Sequence, residues 1–459
     1  MHKNEAPVSN EGTLKQEIGL FGGISIIGGI MIGSGIFYLG SYVLQRTDMS
    51  MGLALLCWVI GGIVSILGGL CFAELGAARP AAGGMVVYMN EAYHPVVGYM
   101  FGFTSWLLSG AGSISALAIA LPTALKGYFD LSEFAIKAIA IILILALTGY
   151  NCLGIKQGTI LQNISMVAKI IPIVAIILAA LVSGKESPDL SLVPAGGDAS
   201  FGSMIGMIAF ATVATLWAYE GWTNLNSVAE EMKNPAKNLP RALIISIGLI
   251  TLIYALFNFA IYKVLPHDEV VTMINNDNLY LGTEVAKRVF GGFGGILVLA
   301  TMIIAMFSAL NGMIMAFPRN YFAMARDGHF FKNHAYINPK TNVPTISLMS
   351  QAFIACVLVL MRNLDQLTSL VVFAGMLFNV LTVGAVIIYR KKYPDLKRPY
   401  KAWGYPVTVV ITILLFTGLM INTLIEDPVT ALIGLVVPAL GALVYFLFDI
   451  KLKKEQNNK

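Results

Sequence analysis

The strongest constraint on this chain is the recurrence of apolar windows of roughly 20 residues, the length of helix needed to cross a hydrocarbon core. Twelve are read, at about 17–43, 51–76, 93–121, 134–153, 158–183, 201–229, 241–264, 284–317, 343–361, 364–389, 405–425 and 428–450, and are called spans 1 to 12. A backbone in lipid finds no water to bond, so each span must satisfy its own N–H and C=O groups as a helix. With 57% hydrophobic and 12% charged residues, against roughly 25% charged in soluble domains, a soluble fold is excluded. The expected fold class is an all-α membrane protein of twelve transmembrane helices, with one domain over 17–450 between tails at 1–16 and 451–459.

The first apolar stretch is too long for a signal peptide and lacks a small-residue cleavage site, so span 1 is expected to remain. With the N-terminus inside, about 21 of the 30 Lys and Arg fall on the cytoplasmic side, including "RKKYPDLKRPYK" and "KLKK", while about eight fall outside. That asymmetry predicts both termini in the cytoplasm, and the expected location of this multi-pass protein is the plasma (inner) membrane. It also accounts for the net charge of +5 through anionic lipid headgroups, with no nucleic acid partner. The four cysteines, at 57, 71, 152 and 356, lie in or at the ends of spans without metal-ligand spacing and read as small core residues. Neither metal nor cofactor is expected.

Span 1 contains "GGIMIGSGIFYLG", residues 28–40. Its glycines admit two readings. They let helices pack closely, or Gly33-Ser34-Gly35 breaks the helix, which at membrane depth is tolerated only where the freed backbone is buried in protein or lines a wet cavity. Span 6 is interrupted as well: an apolar half gives way at Ala218-Tyr219-Glu220-Gly221 to a polar half. Two interrupted spans, five apart and opposite in direction, point to an inverted-repeat transporter with its site at the midplane. A channel would carry a symmetric pore motif, and an enzyme would cluster His, Asp or Cys at depth. Neither pattern is present.

In a break of this kind the N–H groups of Gly33, Ser34 and Gly35 would lack intrahelical partners and lie at the positive end of a half-helix, where a carboxylate fits. The first halves of spans 1 and 6 would end in unpaired carbonyls at or near Met31 and Trp217, which with Glu220 would accept from an ammonium. A carboxylate inside a span is costly and functional by default. Glu220 is open to three roles: capping backbone N–H groups, binding an α-ammonium, or selecting a cationic side chain. Lys169 is the one basic residue placed deep in a span and needs acceptors, unless it snorkels. Pro172, one turn on, frees a further carbonyl.

"IGSGIF" in span 1, "LWAYEGWTNLNSVAEEMKNPAKNLPRA" through span 6 and "LNGMIMAFPRNYFAMARDG" through span 8 resemble the L-type amino acid transporters of the amino acid–polyamine–organocation superfamily, over essentially the whole chain. The resemblance implies a leucine-transporter-type fold. In it, repeat one (about 17–183) and repeat two (about 201–389) are inverted copies of five helices, followed by helices 11 and 12 (about 405–450). It implies sodium-independent exchange of amino acids, with the substrate contacts at the positions above and with Trp217, Ala218 and Tyr219 at an aromatic gate and side-chain pocket. It matches Lys169 to a lysine standing in the place of a sodium ion, bridging span 1 to Ser308 or Asn311 of span 8. It makes "LGAARPAAGG", which follows Glu74 and contains Arg79, a re-entrant loop. Eukaryotic members are tied to a glycoprotein subunit by a cysteine between spans 3 and 4. Here "ALKGYFDLSEF" has none, so a bacterial-type member without a disulfide-linked heavy subunit is expected.

Glu230, Glu231, Lys233, Arg241, Arg319, Arg326 and Asp327 form either an inner-gate ion network or solvated helix ends. The leading expectation is a transporter exchanging small neutral L-amino acids as spans 1, 2, 6 and 7 rock against 3, 4, 8 and 9. Alternatives are a proton-coupled or cationic/neutral transporter and, from another class, an amino acid sensor without transport, which normally carries a longer tail than "KLKKEQNNK".

Overall fold

The computed structural model describes residues 14–457 except 127–128, 195–196, 198–199, 362–363 and 427. Of the predicted tails at 1–16 and 451–459, residues 1–13 and 458–459 lie outside the described residues, as do two residues of the span 3–4 loop. Among the described residues all regular structure is helical, apart from two isolated β-bridges. Among the described residues eight helices are long and apolar enough to cross a membrane: Met51–Ala78, Pro95–Ala124, Glu133–Asn151, Ile155–Ser183, Gly202–Ser227, Pro235–Val264, Gly292–Arg326 and Phe373–Lys392. Four shorter apolar helices, Leu20–Met31, Thr345–Met361, Val407–Asn422 and Gly434–Ile450, fall in the remaining windows.

Local chemistry sets many of the starts. Ser50, Ser132 and Ser200 accept from the N–H of the residue three ahead, as N-caps do, and Pro95 and Pro235 open their helices, where a missing N–H costs nothing. Span 8, read from 284, begins at Gly292 instead. Gly291, at φ 64°, separates it from a distinct amphipathic helix, Leu281–Phe290, that carries Glu284, Lys287 and Arg288. The last helix runs Pro428–Asn457, past the expected end at 450.

Both interruptions are present. Span 1 runs as a helix Leu20–Met31, a 3-10 turn Ser34–Phe37 and a helix Leu39–Arg46. Span 6 runs Phe201–Tyr219, turns at Glu220 and Gly221, and resumes at Asn224–Ser227. The first half of span 1 packs on the second half of span 6, and the second half of span 1 on the first half of span 6. The two therefore run in opposite directions with their breaks at one level. Gly221 allows this contact: its φ of 121° is one L-residues rarely adopt, and a Cβ there would overlap Ile30.

The two readings of the span 1 glycines divide between positions. Gly28 abuts Met166, Gly29 abuts Gln162 and Ser308, and Gly40 abuts Asn258, so these serve close packing. Gly33 and Gly35 belong to the break.

Candidate functional site

A cavity of about 560 Å³ extends from the two breaks toward the face that carries Tyr42 and Tyr280. Its floor is Ile30, Met31, Gly33, Ser34 and Gly35 from span 1 with Trp217, Ala218 and Glu220 from span 6. Small residues of span 3, Ser113, Ala116 and Ala120, face Met302, Met306 and Met313 of span 8 across it. Methionine walls adapt to differing shapes. Near the mouth Tyr38 packs with Tyr42 and Tyr280, ring centroids 6.2 and 5.8 Å away, and its hydroxyl lies beside Ser34 and Trp217.

Of the three N–H groups expected to be free, two are. Those of Ser34 and Gly35 have no partner among the described residues. Gly33 differs: its N–H closes a tight turn onto the Met31 carbonyl at 3.0 Å. That carbonyl also accepts from the Tyr254 hydroxyl at 2.8 Å, so both its lone pairs are engaged and the expectation of a free Met31 acceptor is corrected. The reason lies in span 7. Tyr254 Oη sits between the Met31 and Ala218 carbonyls, at 2.8 and 3.0 Å, and shares its one hydrogen between the ends of both first half-helices. The Trp217 carbonyl accepts from the Glu220 N–H at 3.3 Å. Ile30, which lines the cavity, keeps a carbonyl without a partner among the described residues.

The Glu220 carboxylate faces the cavity with the Gly221 amide beside it and no side-chain partner among the described residues. Trp217 and Ala218 line the cavity, but Tyr219 does not. Its hydroxyl donates to the Trp58 carbonyl of span 2 at 3.0 Å, because a helix turns 100° per residue and a face shared by 217 and 220 turns 219 away.

Lys169 is wholly buried, and Nζ donates to the carbonyls of Gly29 and Ile32 at 2.8 and 2.7 Å. It does not snorkel. Its expected bridge to span 8 is not made: Ser308 is buried beside Gly29 with its hydroxyl unpartnered among the described residues. Asn311 belongs to another chain, donating to Gln162 Oε1 and accepting from Asn151 Nδ2, each at 2.8 Å, while Gln162 Nε2 donates to the Ser25 carbonyl at 3.3 Å. Tyr254 and Gln162 were not singled out from sequence. Their signal was a polar tip inside an apolar run.

On the opposite face the bundle is closed. Arg319 and Glu231 pair in bidentate fashion at 2.8 and 2.9 Å with 1% and 0% of their side chains exposed. The N–H groups of Glu17 and Ile18 donate to the Glu231 carbonyl, laying the first described segment across the closure. Arg326 pairs with Glu230, which also accepts from the Ala82 N–H at 2.9 Å. Asp327, just past span 8, accepts from Asn90 Nδ2 at 2.9 Å, and burial pushes its carboxyl above the usual range. Lys233 and Arg241 join no ion pair among the described residues. Glu74 serves another purpose, pairing in bidentate fashion with Arg390 at 2.8 and 2.7 Å and so tying the ends of spans 2 and 10.

Comparison with known proteins finds relatives along nearly the whole chain. A family profile described as amino acid permease matches residues 18–448. The chain is 32% identical over 440 residues to the serine/threonine exchanger SteT of Bacillus subtilis, covering 95% of this chain and 98% of that one. It is 31% identical over 451 residues to the human b(0,+)-type amino acid transporter 1, covering 95% and 88%. Against the human large neutral amino acids transporter small subunit 2 it is 30% identical over 444 residues, covering 95% and 80%.

Proposed function

The chain belongs to the amino acid permease family, and from that premise we propose that it exchanges small neutral L-amino acids, of the alanine, serine, cysteine and threonine kind, without sodium. Membership makes it a multi-pass amino acid transporter and not an enzyme. The observation that carries the finer reading is the meeting of two span breaks on the floor of one cavity that is sealed on its far side by a buried ion pair.

The substrate carboxylate is read by the N–H groups of Ser34 and Gly35 and by the Ser34 hydroxyl, with Gly33 supplying room in place of a donor. The α-ammonium is read by the Glu220 carboxylate and the Ile30 carbonyl. Trp217 closes over the bound molecule. Lys169 takes the part of a coupling cation by holding two carbonyls at the end of the first half of span 1, which removes the need for sodium. Similarity to a serine/threonine exchanger supports the small, neutral substrate class.

A leucine-transporter-type 5+5 inverted repeat accords with the opposite directions of spans 1 and 6 and with the crossed packing of their halves. Cytoplasmic termini, and hence an outward-facing cavity, accord with the distribution of Lys and Arg. The absence of cysteine from residues 124–134 supports activity without a disulfide-linked heavy subunit.

The test is uptake of radiolabelled serine into liposomes holding the purified chain alone, with and without internal amino acid, sodium or a pH gradient. Uptake that needs internal amino acid but neither gradient is expected, whereas dependence on sodium would refute the reading and dependence on protons would make it a symporter. The unpaired Glu220 favours a second reading, selection of cationic side chains. Neutral amino acids are expected to compete for uptake much better than arginine, and Glu220→Gln to impair neutral transport; preference for arginine, lost in that variant, would establish the second reading.

A further inference from the structure

Behind the break in span 6 lies a second, much smaller cavity of about 20 Å³. It is separated from the main one by Trp217 and Glu220, which line both. Its other polar walls are Ser65 of span 2, Asn379 of span 10 and Tyr219, whose hydroxyl hydrogen is already given to the Trp58 carbonyl. Asn379 is 4% exposed, and its amide makes no hydrogen bond among the described residues. Buried amides are almost always bonded, so this one asks for a partner. Ser65 has spent its hydroxyl hydrogen on the Gly61 carbonyl at 2.9 Å and keeps its lone pairs.

Space and chemistry agree on the occupant. A water needs roughly 10–15 Å³ of such volume and two to four polar partners. The cavity offers both: a carboxylate to accept, an amide to donate and accept, and a hydroxyl oxygen to accept. The remaining walls, such as Trp222, Met376 and Phe416, are apolar or aromatic and too closely set for anything larger.

We propose that this cavity is a one-water site shared by Glu220, Asn379 and Ser65, and that Asn379 is through it a positioning residue for the Glu220 carboxylate. The water holds one carboxylate oxygen toward span 10 and leaves the other aimed at the main cavity. Span 10 thereby reaches the substrate's ammonium without touching it. This rests on the reading of Glu220 as an ammonium site.

The experiment is a double-mutant cycle on serine exchange in liposomes, using Asn379→Leu, Glu220→Ala and the two combined. Loss of a hydrogen bond that orients a charged group predicts that Asn379→Leu raises KM roughly fivefold with Vmax little changed. In the Glu220→Ala background it should add nothing. An equal rise in both backgrounds would mean that Asn379 only packs, overturning the proposal and leaving the ammonium reading intact. Unchanged KM in Glu220→Ala alone would overturn the ammonium reading. The site itself is read separately, as density for one water in a high-resolution map, and a dry cavity overturns it. If Asn379→Leu does not reach the membrane, Asn379→Ala replaces it in the same cycle.

Discussion

Lys169 and Gly33 separate what a single residue does for the cycle from what it does for the pocket. The Lys169 ammonium satisfies two carbonyls that the break in span 1 would leave bare, and each unsatisfied buried acceptor costs about 1–3 kcal/mol. Lys169→Ala is therefore expected to slow exchange at least about fivefold, the factor of one such loss at the low end of that range, with apparent affinity changed on one membrane face more than the other. Kinetics from each side of oriented liposomes measure this, and a variant matching wild type on both faces would leave Lys169 without a role in the cycle. Gly33 should behave differently. Its backbone is extended, at φ −96°, and a Cβ there meets nothing within 4 Å, so a larger residue is tolerated by the fold. Its side chain would occupy the floor of the cavity. Gly33→Leu is expected to keep wild-type expression and melting behaviour and lose serine transport, and amino acid amides should compete poorly with serine. Transport surviving in the variant would move the carboxylate site elsewhere.

Between elements, the decisive contact is the hydroxyl of Tyr254, which joins span 7 to the ends of two half-helices at once. Tyr254→Phe keeps the ring and removes only that link. A net loss of about 1 kcal/mol is expected, the usual worth of one buried hydrogen bond, seen as a lower melting temperature in detergent. Slower exchange should accompany it, because spans 1 and 6 no longer move with span 7 as one unit. Equal rates in variant and wild type would limit the tyrosine to stability. The breaks were legible from Gly33, Gly35 and Gly221, since glycine and charge in an apolar run are local signals. The partner of each freed group was not. Gly33 was expected to donate to substrate and instead closes a turn on Met31; Lys169 was expected to reach Ser308 or Asn311, and Asn311 instead joins Gln162 and Asn151.

For the whole molecule, the ion pair of Arg319 and Glu231 holds one end of the bundle shut. Removing one member of a buried pair strands the other charge and costs about 3–5 kcal/mol, which here falls on the closed arrangement. Arg319→Ala should shift the population toward opening on that face. A cysteine at Ser227, 3% exposed and bonded to Asn320 at 3.1 Å, reports it in a chain stripped of its native cysteines: thiol labelling is expected to quicken in the variant. Unchanged labelling would show that the closure is held by packing. Sequence position alone offered seven charged residues, as a gate network or as solvated helix ends, without choosing among them. Burial chose Arg319 and Glu231, and left Lys233 and Arg241 out.

What the sequence determined by itself is the membrane class, the twelve apolar windows and the levels at which two of them fail as helices. Each of these rests on physics confined to one window: the length that crosses hydrocarbon, the need of every peptide group for a partner, and the freedom of glycine. Only the tertiary structure decided which freed groups remain free. Lys169 reaches Gly29 across 140 positions of sequence and Tyr254 reaches Met31 across 223. A hydrogen bond is spent wherever the folded chain brings donor and acceptor within reach, and no local pattern records that meeting. The N–H groups of Ser34 and Gly35 stay unspent at the cavity because no distant group among the described residues reaches them.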